Sequence, residues 1–279
     1  MRLVAFPALP RLNPKTPLPE PLDLAAIATA LGDLSKRFDV HILGECDSTN
    51  TRLMAFAESG APAGSVIVAE HQTAGRGRRG HRWLSATGAS LTFSLLWRFP
   101  PERSLAGLSL AAGVALARAL EGLGVAGIAL KWPNDVLLRG GKLAGVLIEL
   151  VPGSRTSAAV IGVGLNLRLT DELPPEIRQN AAALADAMTT LPASGIVLAQ
   201  LLMALHDAMQ CFAEHGFAGL RNAWLERHAY AGQVVRLVSE FASPLEGCCR
   251  GVDSDGALLL ETPAGMQRII SGEVSLRKA

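Results

Sequence analysis

A short segment rich in glycine and arginine, residues 75–80, reads Gly-Arg-Gly-Arg-Arg-Gly. Glycines let a backbone approach an anion closely, and arginine side chains supply fixed charge and forked donors that suit phosphate or carboxylate. The spacing also fits a dinucleotide-binding loop, but that motif must open a helix, whereas a strand-like pattern follows here. We therefore predict an anion-binding loop that is mobile when empty and ordered by its ligand. A solvated basic loop, or one that touches nucleic-acid phosphates, is the alternative.

Three further stretches place reactive or small residues at the ends or middles of elements. Lys131 ends an apolar run and is followed by Trp-Pro-Asn-Asp, so its amine could reach a pocket, although an ordinary turn explains the same residues. Residues 47–50 (Asp-Ser-Thr-Asn) offer ligand-binding hydroxyl and amide groups or a plain helix cap. In residues 162–166, two glycines within a strand indicate either a ligand or a tight packing contact against the backbone.

The composition limits the classes of protein that the chain can belong to. Its 279 residues are 49% hydrophobic and 18% charged, which is ample for a packed core. A formal net charge of +1 argues against a dedicated nucleic-acid binder. Four cysteines are too few for a disulfide framework and are not spaced as zinc ligands. Because the sequence shows neither a signal peptide nor a membrane-spanning run, we expect a cytoplasmic protein that does not bind a membrane.

The periodicity of apolar residues predicts an α+β fold with a mixed sheet backed by helices. Residues 91–99 alternate and indicate a half-buried strand with one covered face. A hairpin is expected at residues 136–150, turning at Gly140-Gly141. Other strands are predicted at residues 38–43, 65–70, 128–132 and 159–167, and helices at 22–34, 51–58, 105–123, 196–215 and 217–230.

The same pattern divides the chain into three parts. Residues 1–37 would form a proline-rich arm and one helix, and residues 38–230 the main domain. Residues 231–279 carry several short strands separated by turn residues, which is typical of a small β-barrel.

Taken together and in this order, the motifs closely resemble those of the biotin protein ligases. The matching stretches are CDSTN (46–50), EHQTAGRGRRG (70–80), KWPNDV (131–136), GKLAGVLIEL (141–150), IGVGLN (161–166), GALLLE (256–261) and GEVSLR (272–277). The resemblance implies a largely antiparallel, class II synthetase-like catalytic domain followed by a small C-terminal β-barrel. It also implies ATP-dependent formation of biotinoyl-5′-AMP, with Mg²⁺, and transfer of biotin to a lysine of a biotin carboxyl carrier protein.

The resemblance also assigns roles to individual residues. Arg76, Arg78 and Lys131 would be catalytic. The biotin site would comprise Ser48, Thr49, Asn50, Gln72, Gly75, Arg76, Gly77, Arg78, Lys131, Gly162 and Gly164. The ATP site would comprise Arg76, Arg78, Arg79, Lys131, Asn134 and Asn166. No protein ligand for the metal is assigned, since Mg²⁺ would be held mainly by phosphate oxygens.

The N-terminal region of the chain differs from that of the regulatory members of the family, which carry a helix-turn-helix domain. Only one convincing helix precedes the first strand, whereas such a domain needs at least two. We therefore expect no DNA binding and no repressor role, while a homodimer paired through the sheet is possible. The rival functions are a lipoate ligase or octanoyltransferase, a nucleic-acid-binding regulator, and a non-catalytic biotin store.

Overall fold

The structure, a computed structural model, describes residues 21–152, 157–171, 173–239, 244–270 and 274–278. The predicted proline-rich arm lies almost entirely outside these residues. The first element is helix α1 (Leu24–Leu31), whose first turn is capped by the Asp23 carboxylate accepting from two backbone N–H groups. A 3₁₀ turn, Gly32–Arg37, follows it, so the helix is shorter than predicted.

The main domain contains seven strands and five further α-helices within the described residues. The strands are β1 (Asp39–Cys46), β2 (Ser65–Gln72), β3 (Ser90–Phe99), β4 (Ile128–Lys131), β5 (Asp135–Leu138), β6 (Gly141–Leu150) and β7 (Ser157–Asn166). The α-helices are α2 (Thr49–Glu58), α3 (Leu108–Gly122), α4 (Pro175–Arg178), α5 (Ser194–His215) and α6 (Arg221–Leu225). The predicted helix over 217–230 was wrong in extent: a 3₁₀ turn, Phe217–Gly219, and the short α6 take its place.

The strands form one mixed sheet in the order β1-β2-β3-β7-β6-β5-β4. Only β1 and β2 run parallel; every other neighbouring pair is antiparallel. Helices α1, α3 and α5 join the apolar residues of one face in the main core. Helix α2 packs on the opposite face in a smaller cluster. The predicted mixed, largely antiparallel sheet backed by helices is thus confirmed.

Strand β3 corrects the prediction of one solvated face. Its apolar residues, such as Phe93, face the main core as expected. However, Thr92 and Ser94 on the other face are 1% and 0% exposed. They are buried because α2 packs on that face, so the alternation in the sequence marks a buried polar surface rather than contact with water.

The hairpin predicted for residues 136–150 is formed by β5 and β6. Its turn is one residue earlier than expected: Arg139 and Gly140 have φ of 50° and 89°, whereas Gly141 already belongs to β6. Tight hairpin turns whose twist matches that of the flanking strands require two successive residues with positive φ. The turn therefore sets Leu138 opposite Gly141, and an irregularity in the pairing after Val136 then brings Asp135 opposite Gly145.

Helix α5 is the one helix among the described ranges with the length and apolar composition to cross a membrane. Half of its most apolar stretch is buried inside the protein. Leu201, Leu205 and Phe212 belong to the main core. Packing in that core therefore accounts for the apolar composition of α5.

The C-terminal region forms a second, five-stranded antiparallel sheet. Its strands are β8 (Val234–Ser239), β9 (Leu245–Val252), β10 (Leu258–Thr262), β11 (Gly265–Ile269) and β12 (Val274–Lys278), in the order β11-β10-β9-β8-β12. The edge strands β11 and β12 are not paired with each other in the residues described here. The predicted small terminal β domain is therefore present as an antiparallel sheet.

The C-terminal sheet is attached to the main domain through a buried contact beside Lys131. The indole N–H of Trp132, which is fully buried, donates to the carbonyl oxygen of Gly256 at 3.0 Å. A Cβ at Gly256 would lie 2.8 Å from the Cα of Gly107, at the start of α3. Only glycine allows this approach, so the C-terminal sheet supports the segment that follows β4.

Candidate active site

A cavity of about 680 Å³ opens on the sheet face that carries α2. It brings together residues that are far apart in the sequence. The predicted site residues that line it are Ser48, Thr49, Asn50, Gln72, Arg76, Gly77, Arg78, Arg79, Lys131, Asn134, Gly162, Gly164 and Asn166. The C-terminal sheet contributes Leu276 to the same wall. The cavity is thus large enough for a compact organic molecule together with a nucleotide.

Gly75 is the one predicted site residue that is not part of this lining. It is buried, and its carbonyl oxygen accepts a hydrogen bond from the N–H of Trp83 at 2.9 Å. A Cβ at this position would lie 2.4 Å from the carbonyl oxygen of Trp83. Glycine at this position lets the two arms of the loop approach each other, and the predicted contact of Gly75 with a ligand stays a prediction.

The inner end of the cavity is a buried hydrogen-bonded network at the start of α2. The Gln72 side-chain oxygen accepts from the backbone N–H of Thr49 at 2.7 Å and from its hydroxyl at 3.2 Å. The hydroxyl of Ser94 lies 2.8 Å from that of Thr49 and 2.5 Å from the Asn50 side-chain oxygen, which accepts from it. Ser48 occupies the N-cap position, but its hydroxyl makes no capping hydrogen bond. The polar groups here are therefore preorganised around the cavity.

The two glycines of β7 lie beneath side chains rather than beneath open space. A Cβ at Gly162 would lie 2.1 Å from the side-chain oxygen of Asn50, and one at Gly164 would lie 2.3 Å from Cε2 of Trp83. The prediction of a close approach to the β7 backbone is confirmed. The groups that approach are Asn50 and Trp83, both of which also line the cavity.

The glycine–arginine loop folds back on itself as a small hairpin. Arg76 and Arg82 form an antiparallel bridge, and the N–H of Gly77 donates to the carbonyl of His81 at 2.7 Å. A 3₁₀ turn, Arg78–Gly80, lies at its tip, where Arg79 has a φ of 57°. The next regular element is β3, not a helix, which agrees with rejecting a dinucleotide-binding loop. The predicted ordering by a ligand stays a prediction.

Arg78 points inward and joins the loop to the segment after β4. Its guanidinium donates to the Asn134 side-chain oxygen at 3.3 Å. The Asn134 amide in turn donates to the carbonyl of Val146 at 2.8 Å. Burial lowers the pKa of Arg78, while the nearby Asp135 carboxylate opposes that shift. A guanidinium held partly out of water attracts an anion more strongly than an exposed one.

Lys131 belongs to a cluster of charges around Asp135. The ammonium of Lys131 is 3.7 Å from one carboxylate oxygen of Asp135, and that of Lys142 is 2.6 Å from the other. Lys142 also lies 5.8 Å from the centre of a ring of Trp83. Both lysines line the cavity, so a second amine, which the sequence predictions omitted, faces the same space as the predicted one.

Asn166 lines the cavity, but its side-chain amide is hydrogen-bonded to the protein backbone. The amide donates to the carbonyl oxygens of Lys142 and Ala182, each at 3.1 Å. This fixes the end of β7 against the start of β6, close to Lys142. The side-chain oxygen is the atom through which Asn166 could contact a nucleotide.

The sequence predictions missed four residues that shape this site: Trp83, Ser94, Lys142 and Glu149. Lys142 and Glu149 both lie within GKLAGVLIEL, a stretch already singled out for its resemblance. Ser94 was assigned to a solvated face because neighbouring apolar residues alternate with polar ones. The available signal was a polar residue on a strand that pairs with the glycine-rich β7. Ser94 lies opposite Gly162 in the β3–β7 ladder.

Comparison with known proteins identifies the family. Residues 43–166 match the model of the biotin/lipoate A/B protein ligase family, and residues 232–277 match that of the biotin protein ligase C-terminal domain. The chain is 35% identical over 264 residues to the bifunctional ligase/repressor BirA of Escherichia coli strain K12, covering 94% of this chain and 81% of that protein.

Two further matches agree. A biotin–[acetyl-CoA-carboxylase] ligase of Paracoccus denitrificans is 34% identical over 248 residues, covering 84% of this chain and 98% of that one. The structure of biotin protein ligase from Aquifex aeolicus in complex with biotin and ATP superposes with a TM-score of 0.76 at 32% identity, covering 86% of this chain and 99% of that chain. The chain belongs to the biotin protein ligase family and is an enzyme of the ligase class.

Proposed function

We propose that this protein joins biotin to ATP as biotinoyl-5′-AMP and then transfers the biotinoyl group to a lysine of a carrier protein. The observation that carries this proposal is the convergence of Arg76, Arg78 and Lys131 on one cavity whose inner end is a buried hydrogen-bonded network. The solved relative in complex with biotin and ATP supports the choice of substrates.

In the first step, a carboxylate oxygen of biotin attacks the α-phosphorus of ATP. The bond to the bridging oxygen of the β-phosphate breaks and pyrophosphate leaves. Two anions must approach each other, and negative charge increases on the phosphorus oxygens. Arg78 and Lys131 are held beside Asn134 and Asp135 by contacts within the protein, and charge fixed in position in this way is often the largest catalytic contribution.

In the second step, the uncharged amine of a carrier lysine attacks the acyl carbon, AMP leaves, and the amine loses a proton to form the amide. No covalent enzyme intermediate is required. A rival acyl-cysteine route would need a thiol at the site, and Cys46 adjoins residues 47–50, but it does not line the cavity. Burial raises the pKa of its thiol, which disfavours the reactive thiolate.

The residues of the site fit a magnesium ion only if it binds together with the phosphates of ATP. Among the residues that the structure describes, no group of three or more His, Cys, Asp or Glu could hold a metal ion. The Asp135 carboxylate is already paired with two lysines. We therefore propose that Mg²⁺ is held by phosphate oxygens and water, where it would neutralise phosphate charge.

Arg76 provides the direct test of the proposed function. Replacing Arg76 with alanine should slow adenylate synthesis about tenfold, or let the adenylate escape, because a hydrogen bond from a half-exposed charged group contributes about 1.5 kcal/mol, the lower end of the range for charged groups. The side chain is 50% exposed, so the fold should be unaffected. Pyrophosphate release and retention of labelled adenylate measure the two effects. An unchanged rate together with unchanged retention would contradict the role.

The acid substrate separates this proposal from its nearest rival. A lipoate ligase or octanoyltransferase shares the family model that matches residues 43–166. Exchange of labelled pyrophosphate into ATP should occur with biotin and not with lipoate or octanoate. Release of AMP on adding carrier would exclude a non-catalytic biotin store.

We propose a biotin carboxyl carrier protein, a subunit of acetyl-CoA carboxylase or a similar domain, as the acceptor, in line with the name of the Paracoccus denitrificans relative. We further propose a cytoplasmic enzyme without a repressor role. In the described residues, α1 is the only α-helix before β1. A gel shift that weakens with added salt would reveal DNA binding and contradict this proposal.

A homodimer is the proposed assembly. Strand β5 pairs with β6 only up to Gly145, and the end of β6 carries Leu150, which is 59% exposed. Among the residues that the structure describes, the outer half of β6 therefore offers a strand edge to a second copy. Sedimentation that shows only monomer at all concentrations, with and without biotin and ATP, would exclude the dimer.

A further inference from the structure

Glu149 connects the inner end of the cavity to the glycine–arginine loop. One of its carboxylate oxygens accepts from the Asn50 amide at 2.8 Å. The other lies 2.9 Å from Nη2 of Arg76. Glu149 belongs to β6 and Asn50 to α2, so one carboxylate joins three separate parts of the site.

The two partners of Glu149 depend on it to different degrees. Asn50 is 3% exposed, so its amide has little access to water if the acceptor is lost. The side chain of Arg76 is 50% exposed and that of Glu149 is 22% exposed. Arg76 can therefore exchange the carboxylate for water or for a ligand at modest cost, whereas Asn50 cannot.

Glu149 is not itself part of the cavity lining, whereas Asn50 and Arg76 are. A guanidinium has five N–H donors, and the contact with Glu149 is made through Nη2. The other donors of Arg76 can serve an anion while the carboxylate holds the group in position. Any effect of Glu149 on the reaction must therefore pass through its neighbours.

We infer that Glu149 is a positioning residue, which holds the Arg76 guanidinium against the same wall of the cavity as Asn50 so that it is aligned before the anions bind. This inference rests on the proposed function, because it assigns Arg76 to adenylate formation. A group that is already aligned loses less entropy when it engages the transition state.

Glu149→Gln separates this role from a purely structural one. Glutamine has nearly the same shape but only one oxygen, whereas Asn50 and Arg76 both need an acceptor. The oxygen should face the buried Asn50, and the glutamine amide would then face Arg76, donor against donor. The variant should therefore keep the inner end of the cavity and release Arg76.

We expect Glu149→Gln to slow adenylate synthesis about fivefold at saturating biotin and ATP, the range of a partly exposed ion pair. The KM for biotin should stay within about twofold, because the Asn50 contact persists. The matched control is Glu121→Gln, which removes the charge of a glutamate that is paired with Arg227 at 2.8 Å and lies outside the cavity lining. The control should match the native rate, and both variants should unfold at similar temperatures.

A double-mutant cycle with Arg76→Ala decides the inference. If Glu149 acts through Arg76, adding Glu149→Gln to Arg76→Ala should cause no further loss of rate. The same fivefold loss in both backgrounds, or no loss in the native background, would overturn the positioning role. If Arg76→Ala itself changes neither synthesis nor retention, the proposed function of Arg76 fails instead, so the two failures are distinguishable.

Discussion

Replacing Lys131 with alanine should slow formation of the acyl-adenylate about a hundredfold, the size of effect seen when one preorganised charge is removed from a transition state. The ammonium of Lys131 lines the cavity and is held 3.7 Å from Asp135. Its side chain is 20% exposed, so water replaces the missing charge poorly. Transfer from preformed adenylate to the carrier should be much less affected, because the two anions have already been joined.

Single-turnover release of pyrophosphate, followed at saturating biotin and ATP, measures this effect. The matched control is Lys36→Ala, which removes an exposed lysine from the 3₁₀ turn after α1 and lies outside the cavity. If Lys131→Ala reduces only the affinity for carrier while adenylate forms at the native rate, Lys131 does not act in the first step. The second amine, Lys142, would then be the cation that neutralises the charge of the reacting groups.

The motifs in the sequence predicted which residues lie together in the site, but not which contacts each of them makes there. Lys131 and Arg78 could be placed together because both occur in specific, ordered stretches of a family pattern. The pairing of Lys142 with Asp135 at 2.6 Å depends on the β5–β6 register and its irregularity after Val136. No local pattern contains that register, so Lys142 was read only as part of a hairpin.

Ser94 and Glu149 were missed for a related reason. Alternation along β3 shows that two faces differ in polarity, but it cannot tell whether water or a second layer covers the polar face. Here α2 covers that face, and Ser94 is fully buried. Glu149 is the one charged residue in the apolar run 143–150 of β6, which is a signal of function in a buried sheet, yet its partners lie 99 and 73 residues away.

The glycines of β7 show where sequence and structure agree. A strand with glycine at alternate positions predicted a close neighbour, because glycine otherwise weakens a strand. The structure identifies the neighbours as Asn50 over Gly162 and Trp83 over Gly164. Since both side chains also line the cavity, the shape of the inner cavity depends directly on the absence of a Cβ at these two positions.

Gly164→Ala should therefore raise the KM for biotin about ten- to a hundredfold, the equivalent of the roughly 1–3 kcal/mol that overpacking costs. A Cβ there would lie 2.3 Å from Cε2 and 2.5 Å from Cζ2 of Trp83. The backbone of Gly164 does not have a positive φ, so alanine is strained only by this contact. The indole must move, and the space beside it is the cavity.

Two comparisons show whether the ring is responsible. Gly44→Ala adds the same methyl group to a strand glycine with nothing within 4 Å of its Cβ, and its KM should equal the native value. The indole N–H of Trp83 is buried and has no hydrogen-bond partner among the described residues, so Trp83→Phe breaks no internal hydrogen bond and removes ring atoms from the point of contact. The double variant Trp83→Phe, Gly164→Ala should consequently bind biotin better than Gly164→Ala alone. If the second change gives no recovery, the added methyl group acts through β7 itself rather than through the wall of the cavity.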